Sequence, residues 1–503
     1  MSRVFPVIDL FAGPGGLGEG FSSVRDVRGG KVFEIGASVE KDPSAHATLS
    51  LRSTFRYLQK DAAFEQYSEF IQGNLSHQEF LEDPLISPAA SEAKEEAKLA
   101  ELGKSDPASI DRWIKAAIGN RKDWVLIGGP PCQAYSLAGR SRRTNDGAFE
   151  EDEKHFLYKE YLRIIRKFEP AVFVMENVKG LLSSTHGGSP IFSRITDDLS
   201  RPSKGLDYEI RSFVCRPEPA GHKPSDYVIR SELYGIPQMR HRVILLGVRR
   251  DYANRPHSLL ERSAREVPVG GMLHGLPRIR SKLSKRQDSF EAWLRVISQT
   301  PHKLTGWRNG SRNEIEQAIA AAISRVSECQ LEDMAPTTKG KGIGPQVPAD
   351  LSAWIRYSAP SRPCQHVARG HMESDLQRYL FAAAYAQVIG LSPKLRDFPE
   401  KLLPSHANAR DDDVPFGDRF RVQMSGRPAT TIVSHISKDG HYYIHPDSSQ
   451  CRSLTVREAA RLQTFPDNYY FMGNRTQQYA QVGNAVPPFL AMKLGRIVAG
   501  ILN

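Results

Sequence analysis

Apolar and polar positions follow two rhythms along the first half of the chain. Short apolar runs predict strands at Val7–Ala12, Val32–Val39, Trp124–Ile127, Ala171–Met175 and Val243–Val248, with a weaker one near Tyr57–Gln59. Between two of them, Leu157, Tyr161, Ile164, Ile165 and Phe168 recur at helical spacing and form one stripe of an amphipathic crossover helix. Strands joined by such helices make an α/β fold, a parallel sheet wrapped by helices.

Two stretches break this rhythm. Residues 62–122 hold helix formers such as Ser91 to Lys98 and predict a solvated helical insertion. Residues from about 250 to 453 have mixed composition, scattered Gly and Pro, and a basic start. Thirteen basic residues face five acidic ones between Arg249 and Gly310, so most of the formal net charge of +11 sits there. Such a run is either a solvated face or a surface for a polyanion. No internal repeat interrupts the chain.

With 503 residues, 40% of them hydrophobic, the chain can bury a sizeable core, which excludes disorder and fibre. Five widely spaced cysteines without a CxxC pair exclude a readable disulfide scaffold or Cys-rich zinc module and suit a reducing compartment. No apolar run approaches the roughly 18 residues of a membrane span. Asp9 interrupts the early apolar stretch, so no signal peptide is expected.

Candidate chemistry begins at Val7 to Gly18, a strand running into a glycine-rich turn and then a helix. Gly13, Gly15 and Gly18 have the spacing of nucleotide-binding turns, in which missing side chains let backbone amides approach a ligand. Glu40 after the second strand is placed to accept hydrogen bonds from ribose hydroxyls, and Asp61 follows the expected third strand. These residues alone fit a nicotinamide cofactor as well as S-adenosylmethionine. Further on, Pro130-Pro131-Cys132-Gln133 sits after an apolar strand, where parallel sheets place chemistry. Glu176-Asn177-Val178 ends another strand, and Gln238-Met239-Arg240-His241-Arg242 opens one whose arginines alternate onto one face.

Together these segments resemble the DNA (cytosine-5)-methyltransferase family. Asp9 to Gly16 resembles its cofactor motif, Pro130 to Ser136 its nucleophile loop and Glu176 to Val178 its ENV motif. Gln238 to Arg242 resembles its QxRxR motif, and Gln481 to Pro488 its last motif. The resemblance covers Val7 to Arg249 and Arg427 to Val498. Tyr135 stands where the family usually has Phe, and the insertion is longer than in compact members.

The resemblance implies an α/β, Rossmann-like S-adenosylmethionine-dependent methyltransferase domain with a mixed, mainly parallel sheet over 1–250, a smaller target-recognition domain over 251–453, and a segment 454–503 completing the first. It implies Cys132 as nucleophile at cytosine C6, Glu176 at N3, Arg242 at O2, and Arg240 orienting the catalytic loop or a phosphate. For the cofactor it implies the turn Asp9, Phe11, Gly13, Gly15 and Gly16, with Phe11 against the adenine. Glu40 would hold the ribose, Asp61 lie near the adenine amino group, Pro131 line the wall, and Asn484 and Val486 meet the methionine end. Ser136, Arg140, Arg142 and Arg143 would belong to a loop closing over a flipped base.

S-adenosyl-L-methionine without a metal, a double-stranded DNA substrate and no membrane partner are therefore expected. A monomer of the prokaryotic restriction-modification type is expected too, cytoplasmic and nucleoid-associated, with a restriction endonuclease in the same system but no stable complex.

Three other readings compete. A tRNA-directed relative has a much smaller recognition region than this chain. An inactive DNA binder needs no Cys132, Glu176, Arg242 and Asn484 together. A dehydrogenase leaves Pro-Pro-Cys-Gln and the paired arginines unexplained. Elsewhere, Cys364-Gln365-His366 with His371 fits no zinc spacing, Asp411 to Asp413 reads as a solvated turn, and Trp293, Trp307 and Trp354 read as core.

Overall fold

The computed structural model describes residues 3–131, 157–186, 189–219, 221–328, 331, 338, 340–405 and 417–503. In the first half, β1 (Phe5–Leu10) runs into α1 (Gly16–Ser22) and β2 (Phe33–Glu40) into α2 (Pro43–Tyr57). Next come α3 (Asp61–Ile71), α4 (His77–Glu82), α5 (Ser87–Glu96), β3 (Ala97–Leu99), α6 (Pro107–Ile118), β4 (Val125–Gly128), α7 (Leu157–Phe168) and β5 (Val172–Val178). After them follow α8 (Ile191–Ser200), β6 (Tyr208–Arg211), β7 (Val228–Arg230) and β8 (His241–Arg249).

These strands form one sheet in the order β3-β2-β1-β4-β5-β8-β6, with β7 paired to β8. The first five are parallel, and β8 runs antiparallel to β5, β6 and β7. From β1 the chain winds outward to β3, then returns to the other side of β1. Open α/β sheets leave a crevice at such a reversal, outside the carboxyl ends of the strands.

Both faces of the sheet are covered, so its central strands read as near-continuous apolar runs. On one face α1 packs against a C-terminal helix closely enough that a Cβ on Gly20 would stand 2.4 Å from that of Ala491. On the other face Tyr161, Ile164 and Ile165 of α7 are buried, as the stripe predicts.

Two expectations are corrected. Tyr57–Gln59 is no strand: Tyr57 ends α2, which Asp42 caps by accepting from the Ala45 amide at 2.8 Å, with Pro43 opening the helix. The third strand is β3, inside the expected insertion. Residues 62–122 are therefore not wholly solvated, since Ile110, Ile114 and Ile118 of α6 are buried in the sheet's core. Helices α3 to α5 pack with Leu51 and Phe55 of α2 around a further cluster in which Phe70 stacks on Phe80 with centroids 4.7 Å apart.

In the second half come α9 (Val269–Leu273), α10 (Phe290–Ser298), α11 (Arg312–Glu328), α12 (Ala349–Arg356), α13 (Glu373–Ile389), α14 (Val456–Leu462), α15 (Arg475–Asn484) and α16 (Pro488–Leu502). Helices α10, α11 and α13 enclose a separate core containing Trp293, Ile319, Tyr379 and Phe381, with Trp307 edge-on to Phe381. By contrast, Met272 of α9 and Leu351 and Ile355 of α12 join the sheet's core. Trp354 packs there against Phe489 and donates to the Thr464 carbonyl at 2.7 Å. The stretch Arg475–Leu502 is long and apolar enough to cross a membrane, but 83% of its most apolar window is buried inside the molecule, as in a core helix.

Candidate active site

The carboxyl ends of β1, β2, β4 and β5 bring the sequence motifs to one edge. After β1 the chain turns through Phe11, Gly13 and Gly15, all with positive φ, and Gly15 at +93° caps α1. Glycine permits this conformation because it has no Cβ to clash. Close packing sets a second requirement at Gly16, where a Cβ would stand 2.3 Å from the Val486 carbonyl oxygen. The glycine turn and the last motif, some 470 residues apart, are thus in backbone contact. The Tyr469 hydroxyl adds a tie by donating to the Pro14 carbonyl.

Glu40, at the end of β2, accepts from the Gly13 amide at 2.7 Å through Oε2 and from the Asp42 amide at 2.8 Å through Oε1. Half-buried beside the turn, it stands where the sequence expects a ribose acid. Asp61 does not join it. That residue stands exposed at the start of helix α3, because the segment before it is helical and the third strand lies elsewhere. The acid that follows the third strand is Glu101, whose carboxylate takes Lys41 Nζ at 3.1 Å, while the neighbouring Ala100 amide donates to the Glu40 carbonyl. Sequence reasoning missed Glu101 because a three-residue strand among helix formers shows no period.

Asp9 is also corrected. It lies beneath α1 with no exposed surface, so it supports the turn from below and cannot face a ligand in the crevice. Burial pushes its carboxyl up to about 8, against the Gly18 amide and Arg56, which favour the charged form.

Across the switch point, β4 and β5 pair with Gly128 opposite Met175, which sets Gly129 to Pro131 alongside Glu176 and Asn177. Asn177 Nδ2 donates to the Pro130 carbonyl at 3.3 Å, and a Cβ on Gly129 would lie 3.1 Å from Glu176 Oε2. Pro131 is half-buried at this edge. Cys132, Ser136, Arg140, Arg142 and Arg143 lie outside the described residues, as does Asp411 to Asp413.

Antiparallel pairing of β5 with β8 puts Arg242 opposite Val178, and its Nε meets Glu176 Oε1 at 2.9 Å. Both side chains are mostly buried, at 15% and 13% exposure, with an edge left open. Arg240 is different from what its alternation suggests. It is 2% exposed, donates to the Ile432 carbonyl at 2.8 Å and the Asn484 carbonyl at 3.5 Å, and so has no surface for a phosphate. Burial and the neighbouring Arg242 disfavour its charge, with Glu176 restoring part. Arg240 is a positioning residue that ties the QxRxR strand to the last motif. Asn484 ends α15 with its side chain exposed, beside the nearly buried Val486.

The other grouping considered from sequence is internal bonding. Cys364 Sγ accepts from Arg457 Nη2 at 3.0 Å, and His366 links Thr455 Oγ1 with the Pro277 carbonyl.

These residues fit an adenosyl cofactor. A glycine cradle that a Cβ would fill and a carboxylate held by the turn's own amide lie at the amino end of α1, and Asn484 and Val486 close the far side.

Residues 106–499 match the C-5 cytosine-specific DNA methylases. The chain is 32% identical to Type II methyltransferase M.Bpa9945I of Bacillus paralicheniformis, over 99% of each sequence. It is 23% identical to Type II methyltransferase M.AgeI of Thalassovita gelatinovora, over 98% of each. It is 25% identical to DNA (cytosine-5-)-methyltransferase M.ApeKI of Aeropyrum pernix, over 75% of this chain and 81% of the relative. With a family match over most of its length and a relative of this identity aligned end to end, the chain belongs to the C-5 cytosine-specific DNA methylases, enzymes that use S-adenosylmethionine.

Proposed function

We propose that the protein methylates C5 of a cytosine within one short double-stranded DNA sequence, the base being turned out of the helix into the space between Pro131, Glu176 and Arg242. The observation that carries this reading is the Glu176–Arg242 pair at 2.9 Å, on a strand edge directly beside the chain entering Cys132. Cytosine C5 is too weak a nucleophile to take a methyl group unaided. The Cys132 thiolate adds to C6, and the electron density this creates on N3 and O2 is met by the Glu176 carboxyl and the Arg242 guanidinium. S-adenosylmethionine, when bound, supplies an electrophilic methyl on a sulfonium. Loss of the C5 proton and departure of the Cys132 sulfur restore the aromatic ring.

Phe11, Gly13, Gly15, Gly16, Glu40, Pro131, Asn484 and Val486 form the cofactor side in this reading, with Glu101 in the place expected for Asp61. Ser136, Arg140, Arg142 and Arg143 grip the DNA backbone, and the core of α10, α11 and α13 belongs to the unit that reads the target sequence. The enzyme acts as a monomer in the bacterial cytoplasm, at the nucleoid. There it protects host DNA beside a restriction endonuclease with which it forms no stable complex.

Bisulfite sequencing of DNA from a methylation-free host expressing the protein tests this. Conversion-resistant cytosines confined to one short motif are expected, and they vanish with Cys132→Ser although S-adenosylmethionine still binds within a few fold. Glu176→Gln is expected to slow the single-turnover rate by about 100-fold or more with DNA binding kept. Ordinary methylation by the serine variant would overturn the mechanism.

A further inference from the structure

Between β6 and β7 the chain leaves the sheet and returns through a 3-10 turn over Pro224–Tyr227, and the neck of this connection is tied shut. Ser212 Oγ donates to the Asp226 carbonyl at 2.6 Å and accepts from the Val214 and Cys215 amides at 3.1 and 3.3 Å. Inside this loop Cys215, His222 and Asp226 each offer one donor atom, and the three atoms lie within 4.8 Å of one another. Cys215 Sγ is 3.9 Å from His222 Nδ1, and Asp226 Oδ2 is 3.7 Å from that same nitrogen. The His222 side chain is only 7% exposed, and its ring packs against Tyr227 with centroids 5.3 Å apart.

A catalytic Cys–His–Asp relay requires the imidazole to bridge its partners through its two different nitrogens. Here thiol and carboxylate converge on one nitrogen, so no relay is possible. Nor is the carboxylate at hydrogen-bonding distance from the ring. Three different donors around one point, two of their separations being 3.9 and 3.7 Å, instead approach the spacing of ligands on a tetrahedral ion, which at bond lengths of about 2.0–2.3 Å stand somewhat under 4 Å apart. Asp226 Oδ2 also accepts from the Lys223 amide at 2.8 Å, which orients the carboxylate as outer-shell bonds do in metal sites.

We propose that Cys215, His222 and Asp226 bind one divalent ion of the zinc class, through a thiolate sulfur, an imidazole nitrogen and a carboxylate oxygen, with water as fourth ligand. The mixed soft and borderline donors select Zn²⁺ or Co²⁺ over Mg²⁺ or Ca²⁺. Binding releases the thiol proton to solvent, and the two ligand charges then balance the ion. Its role is to clip the loop that leads into β7. That strand sets Ile229 opposite Arg242, so the clip steadies the support of the active-site arginine from a place remote from the chemistry.

Titration of the metal-stripped, full-length protein with Co²⁺ tests the site. One equivalent is expected to give a near-ultraviolet sulfur-to-cobalt charge-transfer band, displaced by Zn²⁺. Cys215→Ser and His222→Ala, each checked for native circular dichroism, are expected to lose the band, and Asp226→Asn to weaken Co²⁺ binding about tenfold or more. Cys132→Ser is expected to keep it. Zn²⁺ should raise the melting temperature of the wild type and leave that of Cys215→Ser unmoved. Absence of the band, its survival in Cys215→Ser, or its loss in Cys132→Ser would overturn the proposal.

Discussion

Asp9 carries both oxygens into the interior without a hydrogen-bond partner at normal geometry, and burial holds its carboxyl neutral up to about pH 8. Its folded pKa lies above the ordinary 3.8, so between those two values the folded state binds more protons than the unfolded one. The contribution to stability is full below the lower value, declines as pH rises and is lost above the higher. Asp9→Asn removes the titrating group. Denaturation profiles should therefore show the variant gaining on the wild type by up to about 1.4 kcal/mol per pH unit across that window. Parallel profiles would mean that Asp9 is ionised when folded. At Gly16 the constraint is steric. A methyl group cannot fit 2.3 Å from the Val486 carbonyl unless backbone moves, so Gly16→Ala is expected to weaken S-adenosylmethionine binding about tenfold or more by calorimetry and to cost about 1–3 kcal/mol of stability. The importance of this glycine was legible in the sequence. Its actual neighbour was not, because nothing local specifies that residue 486 packs against residue 16.

Among the elements, the long insertion shows where pattern reading stopped. The stripe of α7 was legible because twelve residues give more than three turns of period. β3 has three residues, Ala97 to Leu99, at a sheet edge with Leu99 exposed, so no alternation marks it. Missing it put Asp61 after the third strand, a place the structure gives to Glu101. α6 then follows as a core helix, and Ile114→Ala should cost about 2–5 kcal/mol in denaturant unfolding. Glu95→Ala, at the exposed carboxylate of a pair whose Lys98 side chain is mostly covered, should fall within about 0.5 kcal/mol of wild type. Equal effects at the two positions would return the whole stretch to the status of a solvated appendage.

For the whole molecule, the basic surplus of residues 249 to 310 is less available than its count suggests. Arg280 is buried in a two-pronged pair with Asp288, Arg249 pairs with Asp251, and Arg255 donates to the last carbonyls of α16. Lys282 and Lys285 stay exposed. Replacing Lys285 by Ala is therefore expected to reduce the salt dependence of DNA binding by about one unit of log–log slope, whereas Arg280→Ala lowers the melting temperature and leaves the slope unchanged. The family of this protein was legible in its sequence alone. A glycine turn, a cysteine after two prolines, a glutamate ending a strand and a QxRxR segment are each short runs of consecutive residues, and their order and spacing can be read without coordinates. Only the tertiary structure decided that Arg242 meets Glu176, that Arg240 and Asp9 turn inward, and that Cys215, His222 and Asp226 share one point. Those are contacts between strands and across loops, made by pairing register and by which face a helix covers, and local pattern does not encode either.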